Sequence, residues 1–128
     1  MDDAELISAA TALVGGFSPS LDCSAGGVAA ALITADGNVY TGICVDTACS
    51  MGFCAEHAAV AEMLKARESH IQTIVAVTNP EGVIPPCGRC RELLWQIDSR
   101  NCETRVIVAP GKVVALSDLL PQPRWREC

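Results

Sequence analysis

Two cysteine clusters hold the residues of this chain that could do chemistry: Phe53-Cys54-Ala55-Glu56-His57 and Pro85-Pro86-Cys87-Gly88-Arg89-Cys90-Arg91. Together they offer three thiolates and, two residues after the first of them, a carboxylate. Three protein ligands leave a tetrahedral zinc ion with one open position, which separates catalytic from structural zinc. A water in that position falls to a pKa of about 7 and becomes a nucleophile near neutral pH. Glu56 stands where a proton shuttle is needed. The implied chemistry is hydrolysis, with Cys54, Cys87 and Cys90 as ligands and Zn²⁺ as cofactor.

The spacing supports this. Cys87 and Cys90 follow two prolines, where a helix should begin, so their sulfurs share one face of its first turn. Cys54 opens the preceding helix. Helix N-termini carry partial positive charge and free N–H groups, which stabilise thiolates. Three thiolates on a divalent ion still leave a charge of about −1, so N–H donors and nearby cations must compensate. Arg89, Arg91 and His57 flank the ligands, and Arg91 and His57 are the expected partners of the thiolates. Other readings use the same residues. A C-x-x-C pair also suits a thiol redox protein. Joined to Cys44/Cys49 or Cys49/Cys54, it suits a four-cysteine structural site, which would leave Glu56 and the prolines without a role. Glu56 alone suits a helix-start carboxylate, His57 alone a packed histidine, and Trp95 a core residue.

The elements that must position these groups are legible from periodicity. Ala4 to Val14 has apolar residues at helical spacing and ends before Gly15-Gly16. Phe17 to Gly26 reads as a loop. Val28 to Thr34 and Asn38 to Cys44 read as a hairpin around Asp36-Gly37. Cys54 to about Arg67 is a mostly buried helix and Thr73 to Thr78 a buried strand. Pro80 to Pro86 reads as loop, Gly88 to Ile97 as a helix, Arg105 to Ala109 as a strand, and Ser117 to Leu120 as a short terminal helix. Strands alternating with helices predict an α/β layered sheet with parallel pairing after the hairpin.

Composition narrows the partners. The chain has 128 residues, enough for one domain, and half are hydrophobic although it holds only two Trp, one Tyr and two Phe. So apolar an inventory in a small chain points to a subunit interface. The net charge of −6, without a run of Lys or Arg, disfavours nucleic acid and favours a small-molecule substrate. No stretch approaches the ~20 apolar residues of a membrane span, and Met1-Asp2-Asp3-Ala4-Glu5 lacks the basic start of a secretory signal. A reducing cytoplasm is expected, with Cys23, Cys44, Cys49, Cys102 and Cys128 mostly free thiols.

C-A-E followed by P-C-x-x-C resembles the signature of the cytidine deaminase superfamily. The resemblance extends to the hairpin with its D-G turn, Tyr40-Thr41-Gly42, C-A-E-H, P-P-C-G-R-C-R-E-L-L and the closing D-L-L-P. Cys54, where members acting on DNA or RNA typically carry His, is similar to the free-nucleoside branch, which includes cytidine deaminase and blasticidin S deaminase. The resemblance implies a three-layer α/β/α sandwich with a mixed five-stranded sheet, one domain over residues 1–128, and a homotetramer. It implies zinc on Cys54, Cys87 and Cys90, with Glu56 protonating ring N3 and then the departing amine as activated water attacks C4. Ala55 and Pro85 are the expected ring and amine contacts.

Around the substituent the sequence differs from its relatives. Cytidine deaminases carry N-V-E-N after the T-G of the second strand; here the stretch is Cys44-Val45-Asp46-Thr47. Cys44 cannot both donate and accept as an amide does, whereas Asp46 can accept from a hydroxyl. Gly26-Gly27-Val28-Ala29 replaces a segment that opens on an aromatic residue. Cys44, Asp46 and Trp125 are the expected substrate contacts, Trp125 resembling the C-terminal tryptophan of blasticidin S deaminase and placing the tail, Pro121 to Cys128, over the pocket. The expected activity is zinc-dependent deamination of a cytosine nucleoside or related aminated heterocycle. The alternatives are a blasticidin S deaminase-like enzyme and a non-catalytic zinc-stabilised binding module.

Overall fold

The computed structural model describes residues 1–122 and Cys128. Helix α1 (Asp3–Thr11) is started by a reciprocal cap: the Asp2 carboxylate accepts from the Glu5 N–H at 2.8 Å and the Glu5 carboxylate from the Asp2 N–H at 2.7 Å. The strands β1 (Phe17–Ser20), β2 (Cys23–Thr34) and β3 (Val39–Thr47) follow. Then come helix α2 (Ala55–Lys65), strands β4 (Ile71–Thr78) and β5 (Gly82–Ile84), helix α3 (Gly88–Ile97), and strands β6 (Arg105–Ala109) and β7 (Lys112–Ala115).

The sheet has seven strands rather than five, and the register shows why. β3 runs along one edge of β2, from Cys23↔Thr47 to Ile33↔Val39. The other edge of β2 pairs with β4 over Val28–Thr34 and with the short β1 at Ala25 and Cys23. β4 in turn shares its far edge between β6, parallel at Thr73–Val75, and the short β5, antiparallel at Ala76–Thr78. Five strands, β3-β2-β4-β6-β7, thus form the width of the sheet, and β1 and β5 extend it lengthwise. The predicted loops Phe17–Gly26 and Pro80–Pro86 contain these two short strands. Parallel pairing is confined to β4 and β6; β2–β4 and β6–β7 are antiparallel. The predicted terminal helix is a 3₁₀ turn, Leu116–Leu119.

Alternation along β2 divides the core in two. Ala29, Ala31 and Ile33 point with Val75, Val77 and Ile107 toward Leu6 and Ala10 of α1. Ala30 and Leu32 point with Ile74 and Ala76 to the opposite face, where Ala59, Met63, Leu94 and Trp95 of α2 and α3 cover them. The layers are therefore α1, sheet, and α2 with α3. Two contacts set α2 and α3 on their face. A Cβ at Gly42 of β3 would stand 2.4 Å from the backbone N of Ala59 and 2.7 Å from Ala55 O, so only glycine admits α2 this close. Beyond α3, buried Asn101 accepts from the Ile71 N–H at 2.8 Å and donates to Leu94 O at 2.9 Å, joining the end of α3 to the start of β4.

Cys102 and Cys128 form a disulfide, with Cα atoms 5.4 Å apart, where free thiols were expected; Cys23, Cys44 and Cys49 are unpaired. Among the described residues no helix is long and apolar enough to cross a membrane.

Candidate active site

The two cysteine motifs meet where α2 and α3 begin. Cys54 is the N-cap of α2 and Cys87 the N-cap of α3, both in extended conformation, so each leaves its side chain beside a ring of free N–H groups. Phe53, just before Cys54, is held to Val45 of β3 by two backbone hydrogen bonds of 2.9 and 3.0 Å. Gly52 lets this segment lie against β3, since a Cβ there would meet Val45 O at 1.8 Å. On the other side the Arg91 Nε donates to Pro86 O at 2.8 Å, fixing the loop that carries Cys87. Arg91 was expected to meet a thiolate; it braces the loop that carries Cys87 through a carbonyl instead.

The three sulfurs converge. Cys87 Sγ lies 3.5 Å from Cys54 Sγ and 3.3 Å from Cys90 Sγ. Cys54 Sγ, Cys90 Sγ and a ring nitrogen of His57 all lie within 4.8 Å of one another. His57 Nδ1 is 3.6 Å from Cys90 Sγ. Zn–S bonds of about 2.3 Å in a tetrahedron require sulfurs about 3.8 Å apart, so the donor set fits a tetrahedral metal ion. The redox reading needs only Cys87 and Cys90, and it leaves the third sulfur and the imidazole unexplained.

The surroundings act differently on each group. Burial raises Cys54, and so does its contact with the Cys87 thiol. Burial would also raise Cys87, but the Cys90 N–H donating to its sulfur at 3.4 Å and the two neighbouring thiols bring it below its ordinary value. Cys90 is fully buried and pushed strongly up, by burial first and then by the Glu56 charge. A bound cation reverses such upward shifts, because it favours the thiolate. His57 is held low by burial and then by the charge of Arg89.

A cavity of about 540 Å³ opens onto Cys54, Glu56 and Cys87, within the usual size of small-molecule sites. It gathers most of the predicted contacts: Cys44, Asp46, Cys54, Ala55, Glu56, Pro85 and Cys87. Glu56 is 4 % exposed, and no described residue hydrogen-bonds its carboxylate. Cys44 is also buried, and its sulfur accepts from the Val28 N–H at 3.2 Å, so it is already engaged. Trp125 and the tail around it lie outside the described residues, apart from Pro121, Gln122 and Cys128.

Sequence reasoning missed several wall residues: Val28, Thr47, Ser50, Phe53, Ile84 and Arg89. Val28 and Ile84 are apolar walls that only the pairing of β2 and β5 with β4 brings together. The signal for Phe53 was its place beside Cys54. It supplies an aromatic ring to a pocket whose Gly26-Gly27-Val28 segment has none.

The comparisons with known proteins agree with this geometry. Residues 2–106 match the family model described as "Cytidine and deoxycytidylate deaminase zinc-binding region". A cytidine deaminase of Sporosarcina psychrophila is 34% identical over 97 residues, spanning 73% of this chain and 71% of that protein. The crystal structure of cytidine deaminase from Mycobacterium tuberculosis superposes with a TM-score of 0.79 at 30% identity, covering 96% of this chain and 97% of that one. That of Burkholderia pseudomallei gives 0.78 at 31% identity, over 97% and 100%. The chain belongs to the cytidine and deoxycytidylate deaminase family.

Proposed function

We propose that residues 1–128 form one domain that hydrolytically deaminates a cytosine nucleoside or a related aminated heterocycle. The observation that carries this is Glu56: buried, without a hydrogen-bond partner among the described residues, and on the wall of the cavity beside three converging thiols. A solvated helix-start carboxylate would be exposed, and a structural zinc site has no use for it.

Cys54, Cys87 and Cys90 would hold a zinc ion, with His57 Nδ1 donating to the Cys90 thiolate and offsetting its charge. His57 as a fourth ligand would close the position that catalytic zinc keeps open. When bound, the ion supplies a water acidified enough to attack near neutral pH. Glu56 would accept one proton of that water and pass it to ring N3 as the oxygen adds to C4. It would then take the second proton from that oxygen and deliver it to the amino group, so that the C4–N bond breaks, a C4 carbonyl remains and ammonia leaves. Val28, Phe53 and Ile84, which line the cavity, would exclude water from the faces of the ring, Ala55 N–H and Pro85 C=O would hold its polar edge, and Asp46 would accept from the substituent.

Phe17, Leu21, Met51 and Phe53 are exposed apolar side chains, which supports an oligomer, and we infer a homotetramer. Ammonia release by zinc-loaded protein, given cytidine, deoxycytidine, cytosine and blasticidin S in turn, tests the reading. Turnover of any of them supports it. Turnover of blasticidin S alone would make this an antibiotic-inactivating enzyme, and silence on all four would contradict the cytosine assignment.

A further inference from the structure

The cavity holds one cation among its described wall residues, and the chemistry above gives that cation no task. Arg89 stands in the first turn of α3, between Cys87 and Cys90, and lines the cavity with Asp46 and Glu56. Its side chain is exposed and makes no hydrogen bond or ion pair among the described residues, whereas Arg91, two positions on, is committed to Pro86 O. Guanidinium is always charged, offers five N–H donors in a fixed fork and accepts nothing. Its complement is a carboxylate or phosphate, whose paired oxygens match the fork.

The rest of the wall points the same way. A sugar bearing only hydroxyls needs groups that both donate and accept. Asp46 is an acceptor, and the Cys44 thiol is already committed, accepting from the Val28 N–H at 3.2 Å and donating to Asp46 Oδ2 at 3.9 Å.

We propose that Arg89 reads an anionic group on the substituent of the aminated ring, so that the preferred substrate is an acidic derivative of a cytosine-like heterocycle. This rests on the deaminase reading and narrows it. It makes Arg89 a specificity residue rather than a charge-neutralising neighbour of the thiolates.

The test compares cytidine, cytidine monophosphate and a cytosine bearing an acetate on its ring nitrogen, as substrates of zinc-loaded wild type, Arg89→Gln and Arg89→Lys. The expected kcat/KM is about tenfold or more higher for an acidic substrate than for cytidine, mainly through KM. Arg89→Gln should bring that ratio close to one, and Arg89→Lys should leave it intermediate. The two acidic substrates distinguish phosphate from carboxylate. A wild type that prefers cytidine, or a ratio that survives in Arg89→Gln, overturns the inference and leaves the deaminase reading intact. Calorimetric binding of the same compounds to zinc-loaded Glu56→Gln keeps the two claims apart. Anion-selective binding that depends on Arg89, without ammonia release by wild type from any substrate, would sink only the deaminase reading. Binding without anion selectivity would sink the inference.

Discussion

Cys54 Sγ and Cys87 Sγ lie 3.5 Å apart although 33 positions separate them in the chain. Each caps a different helix, and the two helices meet because both cover the same face of the sheet, with α2 seated on β3 at Gly42. The contact is therefore a product of the whole fold, with the helix N-termini supplying the electrostatics that thiolates need.

The proposed function makes the three sulfurs zinc ligands and gives the His57 imidazole a supporting role beside Cys90. Cys87→Ala should lose bound zinc after exhaustive dialysis. His57→Ala should keep close to one zinc per chain, with affinity lower by about tenfold to a hundredfold. Metal analysis of the two dialysed variants is the check. Loss of zinc from His57→Ala to the same extent as from Cys87→Ala would make the histidine a ligand.

Gly42 permits the close packing of α2 on β3. Alanine there drives a methyl into the Ala59 and Ala55 backbone, where no side chain can move aside. Gly42→Ala should cost roughly 2–3 kcal/mol, within the usual range for overpacking. It should lower the urea midpoint without changing the slope of the transition. Since α2 carries Glu56, activity should fall by more than the folded fraction does.

Tyr40, the one tyrosine in the chain, donates its hydroxyl to Glu68, which also accepts from Thr34 Oγ1 at 2.7 Å and Asn38 Nδ2 at 3.0 Å. The hydrogen bond to Glu68, then burial and nearby negative charge, push the phenol up to about 12. The folded value lies above the unfolded value of about 10. Stability from this contact is therefore fully present below about pH 10 and is lost as pH rises through about 12. Phenolate absorbance should show the late titration directly, and Glu68→Gln should return it toward about 10.

How far the sequence announced all this depended on the kind of signal. α3 and β6 occupy the predicted residues, Gly88–Ile97 and Arg105–Ala109, because a proline pair and short apolar runs mark their limits. That Cys54, Cys87, Cys90 and Glu56 come together was legible for a similar reason, since their spacing is local to two helix starts. β1, β5 and β7 were not, because three or four residues are too few for a period and their pairing is set by distant neighbours. Pro110-Gly111, with Gly111 at φ 71°, was nonetheless a turn signal for β7. The Cys102–Cys128 bond and the Arg91–Pro86 contact depend on tertiary proximity, which spacing does not encode. Arg89 was visible beside Cys87 and Cys90, but that it lines the cavity depends on the fold.

The central claim is that Glu56 moves the protons of a hydrolytic deamination. The most direct measurement is ammonia release by wild type and Glu56→Gln at matched zinc content and matched thermal stability, on the best substrate of the panel. Loss of about a hundredfold to ten-thousandfold in kcat, the usual worth of general acid–base catalysis, with zinc and fold retained, is the predicted result. A variant that releases ammonia at the wild-type rate, or a wild type that releases none, would contradict it.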